Sequence, residues 1–164
     1  MKRIFMAGPI ITGLIFSTIV IILSMYKPNI CRVFLGIFFI AMGLGVNVSY
    51  LITQPFFVYE YGMGAWMPLF RNLTESIIGI NPKLFGILLI VFETLTGLLL
   101  MGKGIWVKLG IFTASLFILM LIPLYYSQIA WAVSVFGILY LLRLDYTLDV
   151  FGKITDFIEK KKSK

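Results

Sequence analysis

The chain contains no histidine and one cysteine, Cys31. An intrachain disulfide cannot form, and a Cys-x-x-Cys redox centre is excluded. Histidine-ligated zinc, haem and di-iron centres are excluded within this chain. So is a Ser–His nucleophile pair. The glycine pairs Gly62-x-Gly64 and Gly102-x-Gly104 lack the strand and the Lys-Ser/Thr of a phosphate loop. No cluster of carboxylates inside an apolar run marks a rotor or a proton relay, and paired inverted repeats are not evident. Neither a catalytic set nor a metal set is therefore expected. Activity as an enzyme by this chain alone is the weakest reading.

Charge is also scarce. Charged residues make up 13% of the chain, where soluble domains carry about 25%. Apolar residues make up 60% of the 164 positions. A soluble domain of this composition could not cover its surface with polar groups, so the excess must face lipid. The net charge of +7 would suit nucleic acid in a soluble protein. Here the basic residues border apolar runs, where anionic headgroups and the positive-inside bias place them. The bilayer is the expected partner, nucleic acid is not, and a membrane-protein partner or a second copy of the chain is compatible. Cys31, beside Arg32 at a span boundary, reads as an inert small apolar residue.

A helix needs about 20 apolar residues to cross the hydrocarbon core. Five segments fit an all-α transmembrane helical bundle: Gly8 to Tyr26, Val33 to Thr53, Leu84 to Gly102, Val107 to Tyr125 and Ile129 to Leu142. Lys2-Arg3 before the first run resembles a signal peptide. No small-x-small cleavage site precedes Lys27, so a retained span is expected. The domain reading is an N-terminal span over 1–31, a four-helix membrane core over 32–143 and a basic amphipathic tail over 144–164. In that tail Phe151, Ile154, Phe157 and Ile158 keep helical spacing before Lys160-Lys161-Lys162-Ser163-Lys164.

Orientation follows from Lys and Arg. With the N-terminus outside, Lys27, Arg32, Lys103, Lys108, Arg143, Lys153, Lys160, Lys161, Lys162 and Lys164 are cytoplasmic. Lys2, Arg3, Arg71 and Lys83 are then outside. This 10-to-4 division of the 14 basic residues predicts a multi-pass plasma-membrane protein with its C-terminus in the cytoplasm. The long loop over 54–83 is then external. Within it Trp66, Leu69, Phe70, Leu73 and Ile77 recur at helical spacing, after Pro55, Phe56, Phe57, Tyr59 and Tyr61. The loop reads either as a cap over the outer mouth of the bundle or as an amphipathic helix resting in the interface.

Two polar residues lie where a bilayer would be driest. Glu93 falls near the middle of the third run, and an ionised carboxylate there must face inward, find a partner or hold a proton. Gly86, Ile90, Glu93 and Gly97 share a helix face, as do Gly36, Ile40, Gly43, Asn47 and Tyr50. Small residues at such spacing mark close helix–helix contact. At 1.5 Å per residue Asn47 lies about 9 Å and Glu93 about 14 Å below the outer side, so the two side chains can meet. The expected binding set is Glu93, Asn47, Tyr50 and Thr94, with Tyr59, Trp66 and Arg71 at the mouth. The alternative is a structural hydrogen bond joining two helices.

Residues Arg32 to Leu142 resemble the DoxX-like membrane proteins. The likeness rests on Arg32-Val33-Phe34-Leu35-Gly36-Ile37-Phe38-Phe39-Ile40-Ala41-Met42-Gly43, on Asn81-Pro82-Lys83-Leu84-Phe85-Gly86, and on Phe92-Glu93-Thr94-Leu95-Thr96-Gly97-Leu98-Leu99-Leu100. A short basic turn, Gly102-Lys103-Gly104, then leads to the last two runs. The resemblance implies a four-helix DoxX-like core, to which this chain adds an N-terminal span. Some members look like subunits of quinone-reducing oxidoreductases and others like accessory factors for membrane partners. The resulting expectation is an accessory or ligand-binding subunit holding a quinone or lipid near Glu93. A scaffold or assembly factor without ligand, and a transporter or channel subunit, remain the alternatives.

Overall fold

A computed structural model describes residues 2–147, with side chains from residue 9 onward. The described residues are helical or in turns. The basic tail beyond residue 147, with its apolar stripe and lysine cluster, lies outside them.

Prolines and short turns punctuate the chain. Helix α1 runs Lys2–Tyr26, and Lys27 turns it into α2, which spans Pro28–Thr53. Pro28 sits in the first turn of α2, where a missing N–H costs nothing. Two short helices follow, α3 (Phe57–Met63) and α4 (Pro68–Ser76). Helix α5 (Pro82–Met101) also opens on proline, and Asn81 Oδ1 caps it by accepting from the Leu84 N–H at 3.1 Å. Gly104 adopts φ +57°, a left-handed conformation suited to glycine, so that α6 (Ile105–Leu121) can reverse direction. The last helix, α7, covers Tyr126–Arg143.

Four of these helices are long and apolar enough to cross a bilayer: Pro9–Tyr26, Pro28–Thr53, Pro82–Met101 and Tyr126–Arg143. Helix α6 is apolar but has 17 residues, about 25 Å at 1.5 Å per residue. The outward faces carry Ile15 and Ile22 on α1, Ile37 and Leu44 on α2, Val91 and Leu95 on α5, and Phe136 on α7, all exposed. Exposed apolar surface on this scale belongs against lipid. The fold is thus an α-helical membrane bundle.

The neighbours are α1–α2, α2–α5, α5–α6, α6–α7 and α7–α1, which closes a ring. Helix α1 is therefore built into the bundle. Its Ser17 hydroxyl donates to the Ala130 carbonyl at 2.7 Å. A Cβ on Gly137 would lie 3.0 Å from Ile21 Cα, so these backbones nearly touch. The tightest seam joins α2 and α5, where a Cβ on Gly97 would lie 2.6 Å from the Gly36 carbonyl oxygen. This contact explains the two stripes of small residues.

Inside the ring, the half nearer the turns at Lys27 and Lys103 is solid. Phe16, Leu35, Phe39, Leu100, Ile111 and Ile138 fill it. Arg32 sits beneath this plug with 1% exposure. Its guanidinium donates to Asn29 Oδ1 and to the Leu100 and Gly102 carbonyls, and lies 5.0 Å from the Tyr146 ring centroid. A cation at the C-terminal end of α5 meets the negative end of that helix dipole. Charge counting marks Arg32 as a topology signal, and its burial gives it a structural role as well. Cys31 is fully buried, and its thiol donates to the Val20 carbonyl.

Candidate functional site

The other half of the ring is hollow. Helix α2 departs from α-helical geometry there: Ala41–Asn47 form a π-helical segment. Such segments recur at functional sites, because the extra residue per turn re-aims a side chain. Here the widened turns place both Gly43 and Asn47 against α5. A Cβ on Gly43 would lie 3.0 Å from the Ile90 carbonyl oxygen and 3.3 Å from Glu93 Cβ. This close approach lets the Asn47 amide donate to Glu93 Oε2 at 2.5 Å. Asn47 and Glu93 are 7% and 3% exposed. That amide supplies the hydrogen bond the carboxylate makes among the described residues.

The pair lines a cavity of about 790 Å³. Pockets for small ligands and cofactors run from about 300 to 1,000 Å³. The walls are Phe38, Phe39, Met42, Tyr50, Leu89, Phe117, Leu121 and Trp131. Helices α3 and α4 form the roof through Phe57, Val58, Tyr61, Phe70 and Thr74. The roof helices interlock at Gly62, where an added Cβ would fall 2.1 Å from Thr74 Oγ1. Thr74 in turn donates to the Phe70 carbonyl at 2.8 Å. Polar groups are few: Asn47, Glu93, Tyr50, Tyr61, Thr74, Gln128 and Thr12. A mostly apolar chamber with a small convergent polar set is the usual form of a ligand site.

The expected residues divide into two groups. Glu93, Asn47 and Tyr50 line the cavity, and the Tyr50 ring stacks on Phe57 at 5.7 Å. The other four do not line it. Thr94 bonds back to the Ile90 carbonyl at 2.7 Å and packs beside Gly43. Tyr59 packs over Gly79. Trp66 is half exposed, and its indole N–H donates to the Ile122 carbonyl at 2.8 Å, tying the roof to the end of α6. Arg71 is exposed on α4. In the stripe, Trp66 and Leu69 are exposed and do not line the cavity, whereas Phe70 lines it, as do Leu73 and Ile77, which are also exposed. Helix α4 begins at Pro68, after Trp66.

Sequence reasoning missed Phe57, Tyr61, Thr74, Gln128 and Trp131. A signal was present for two of them. On α3, Phe57 and Tyr61 stand four apart and share a face, whereas Tyr59 falls off it. Burial pushes the Tyr61 phenol above its usual range, and Tyr50 and Tyr125 nearby add to the shift. Tyr61 therefore stays a neutral donor at the mouth at neutral pH. Gln128 and Trp131 carry no local signal, since only the closure of α7 onto α1 turns them inward.

Compared with models of known families, with curated proteins and with solved structures, the chain matches none. The resemblance to DoxX-like proteins stands on its motifs alone.

Proposed function

We propose that this chain is a plasma-membrane protein that holds a lipophilic molecule, a quinone or a lipid, in the roofed cavity against the Glu93–Asn47 pair. It acts as an accessory or ligand-binding subunit of a membrane partner. In this reading α6 is a fifth, short span, the core is DoxX-like, the N-terminus is outside and the C-terminus is cytoplasmic. The observation that carries it is the coincidence of an apolar chamber with a buried carboxylate on its wall. A residue needed only to join two helices has no reason to border so large a space.

The solid core between the chamber and the basic end disfavours a transport path. Leu35, Leu100, Ile111 and Ile138 are fully buried there, and they offer a moving polar solute no partner. A scaffold without ligand is the second reading, and the backbone contact between Gly36 and Gly97 favours it.

Mild purification followed by mass spectrometry of bound lipids separates the two. Glu93→Gln keeps the shape and removes the charge. The ligand reading expects retained lipophile to fall about tenfold in that variant, the worth of one hydrogen bond to a charged group. Equal retention in both proteins would leave the scaffold reading standing.

A further inference from the structure

The ring has a looser seam on the side of α1 and α2. Helix α1 packs on the Pro28–Ile40 half of α2, with Phe16 against Phe34 and Phe38. Towards the roof no comparable packing joins α1 to the π-helical segment among the described residues. At that level Pro9 and Thr12 on α1 and Val46 on α2 line the cavity and are also exposed. A Cβ on Gly45, next to Val46, would meet nothing within 4 Å. The opposite seam, between α2 and α5, is closed at the same height by Gly43 on the Ile90 carbonyl. The opening therefore faces the acyl chains, level with Glu93.

The polar pair also restricts what can bind. Asn47 spends one of its two amide N–H donors on Glu93 Oε2. What remains for a ligand is the second Asn47 N–H, a donor, beside Asn47 Oδ1 and the second carboxylate oxygen, both acceptors. A ligand end that meets all of them both donates and accepts, as a hydroxyl does. An ion drawn through hydrocarbon at this depth pays several kcal/mol, so that end is uncharged, and a hydroxyl meets both needs.

Resting on the ligand reading above, we infer that the cavity takes a membrane-dissolved alcohol or phenol. The molecule passes sideways between α1 and α2, and its hydroxyl points at Glu93. An aliphatic alcohol such as a diacylglycerol and a phenol such as a quinol share this chemistry.

Trp131 lines the cavity and reports on it. Trp66→Phe with Trp106→Phe leaves it as the sole tryptophan in the full chain, reconstituted in phosphatidylcholine vesicles. Brominated diacylglycerol or brominated phosphatidylcholine is then titrated in over the same range of mole fraction, with aqueous iodide as a separate quencher. The expected result is quenching by the brominated diacylglycerol at about tenfold lower concentration than by the brominated phosphatidylcholine, the worth of one hydrogen bond to a charged acceptor. Iodide should quench little. Farnesol and ubiquinol added as competitors distinguish the two sources, and whichever relieves the quenching identifies the class. Thr12→Phe with Val46→Phe fills the opening and should abolish the difference between the brominated lipids.

Strong iodide quenching in the unfilled protein would overturn the sideways route, because the chamber would then open to water. Equal quenching by the two brominated lipids would overturn the hydroxyl selection. Neither result depends on the filled variant folding. Both are separable from failure of the ligand reading itself, which the mass spectrum of the Glu93→Gln protein reads.

Discussion

At the scale of single residues, the buried cation contributes more to the fold than its place at a span boundary implies. Arg32 satisfies two carbonyls at the end of α5, and its guanidinium shares a contact with Tyr146. Arg32→Met keeps much of the volume and removes every donor. The expected loss is about 3 kcal/mol, from buried carbonyls left without partners, read as an earlier midpoint in denaturant titration of the micelle-bound protein. Arg32→Lys should recover only part of it, since an ammonium cannot reproduce the guanidinium fork. An unchanged midpoint in Arg32→Met would refute this role.

Tyr146 offers a pH-dependent readout of the same corner. Its phenol is pushed up from 10.0 to about 12, chiefly by burial, partly offset by Arg32 and reinforced by Cys31. The hydroxyl donates to the Leu141 carbonyl at 2.9 Å, which only the protonated form can do. A raised value means that the neutral form is preferred in the folded state. The stability it contributes is complete below pH 10 and lost as pH climbs through about 12. The ultraviolet phenolate titration of the protein, minus that of Tyr146→Phe, should show one tyrosine ionising late. A difference curve centred near pH 10 would contradict the burial argument.

At the scale of elements, the glycines of α2 and α5 perform different tasks despite similar spacing. Gly97 lies on the Gly36 carbonyl, so Gly97→Ala must push the two backbones apart, at about 1–3 kcal/mol. Gly45 has open space around its missing side chain, so Gly45→Ala should be neutral or stabilising by about 0.5–1 kcal/mol. Unfolding midpoints of the two variants test this ordering, and similar losses in both would contradict the seam assigned here. The π-helical segment explains why the contrast cannot be read from periodicity. Over Ala41–Asn47 the turn is wider than an α-helical wheel assumes, so the face on which each residue falls shifts within that stretch.

At the scale of the whole molecule, the ring has one filled half and one hollow half, and the roof covers the hollow one. The division of basic residues predicts which half faces out. Single cysteines at Asn72 on the roof and at Lys103 in the turn before α6 test it with a membrane-impermeant maleimide on intact cells. Asn72→Cys should label and Lys103→Cys should not. Native Cys31 should stay silent in both, because it is fully buried. Labelling of Lys103→Cys alone would invert the topology.

Composition and hydropathy by themselves determined that the chain is a helical membrane bundle. Spans are specified locally, by runs of apolar residues of the right length between proline, asparagine and lysine stops. The meeting of Glu93 with Asn47 was legible for a similar reason. Each sits on a stripe of small residues, and such stripes seek one another. Only the tertiary structure decided that the pair borders a chamber, that α1 closes the ring beside α7, and that Gln128 and Trp131 turn inward while Thr94, Tyr59, Trp66 and Arg71 do not line it. Those outcomes depend on which helices become neighbours and on where a π-helical turn resets the register. A cavity is space left over by many distant contacts, and no short stretch of sequence encodes it.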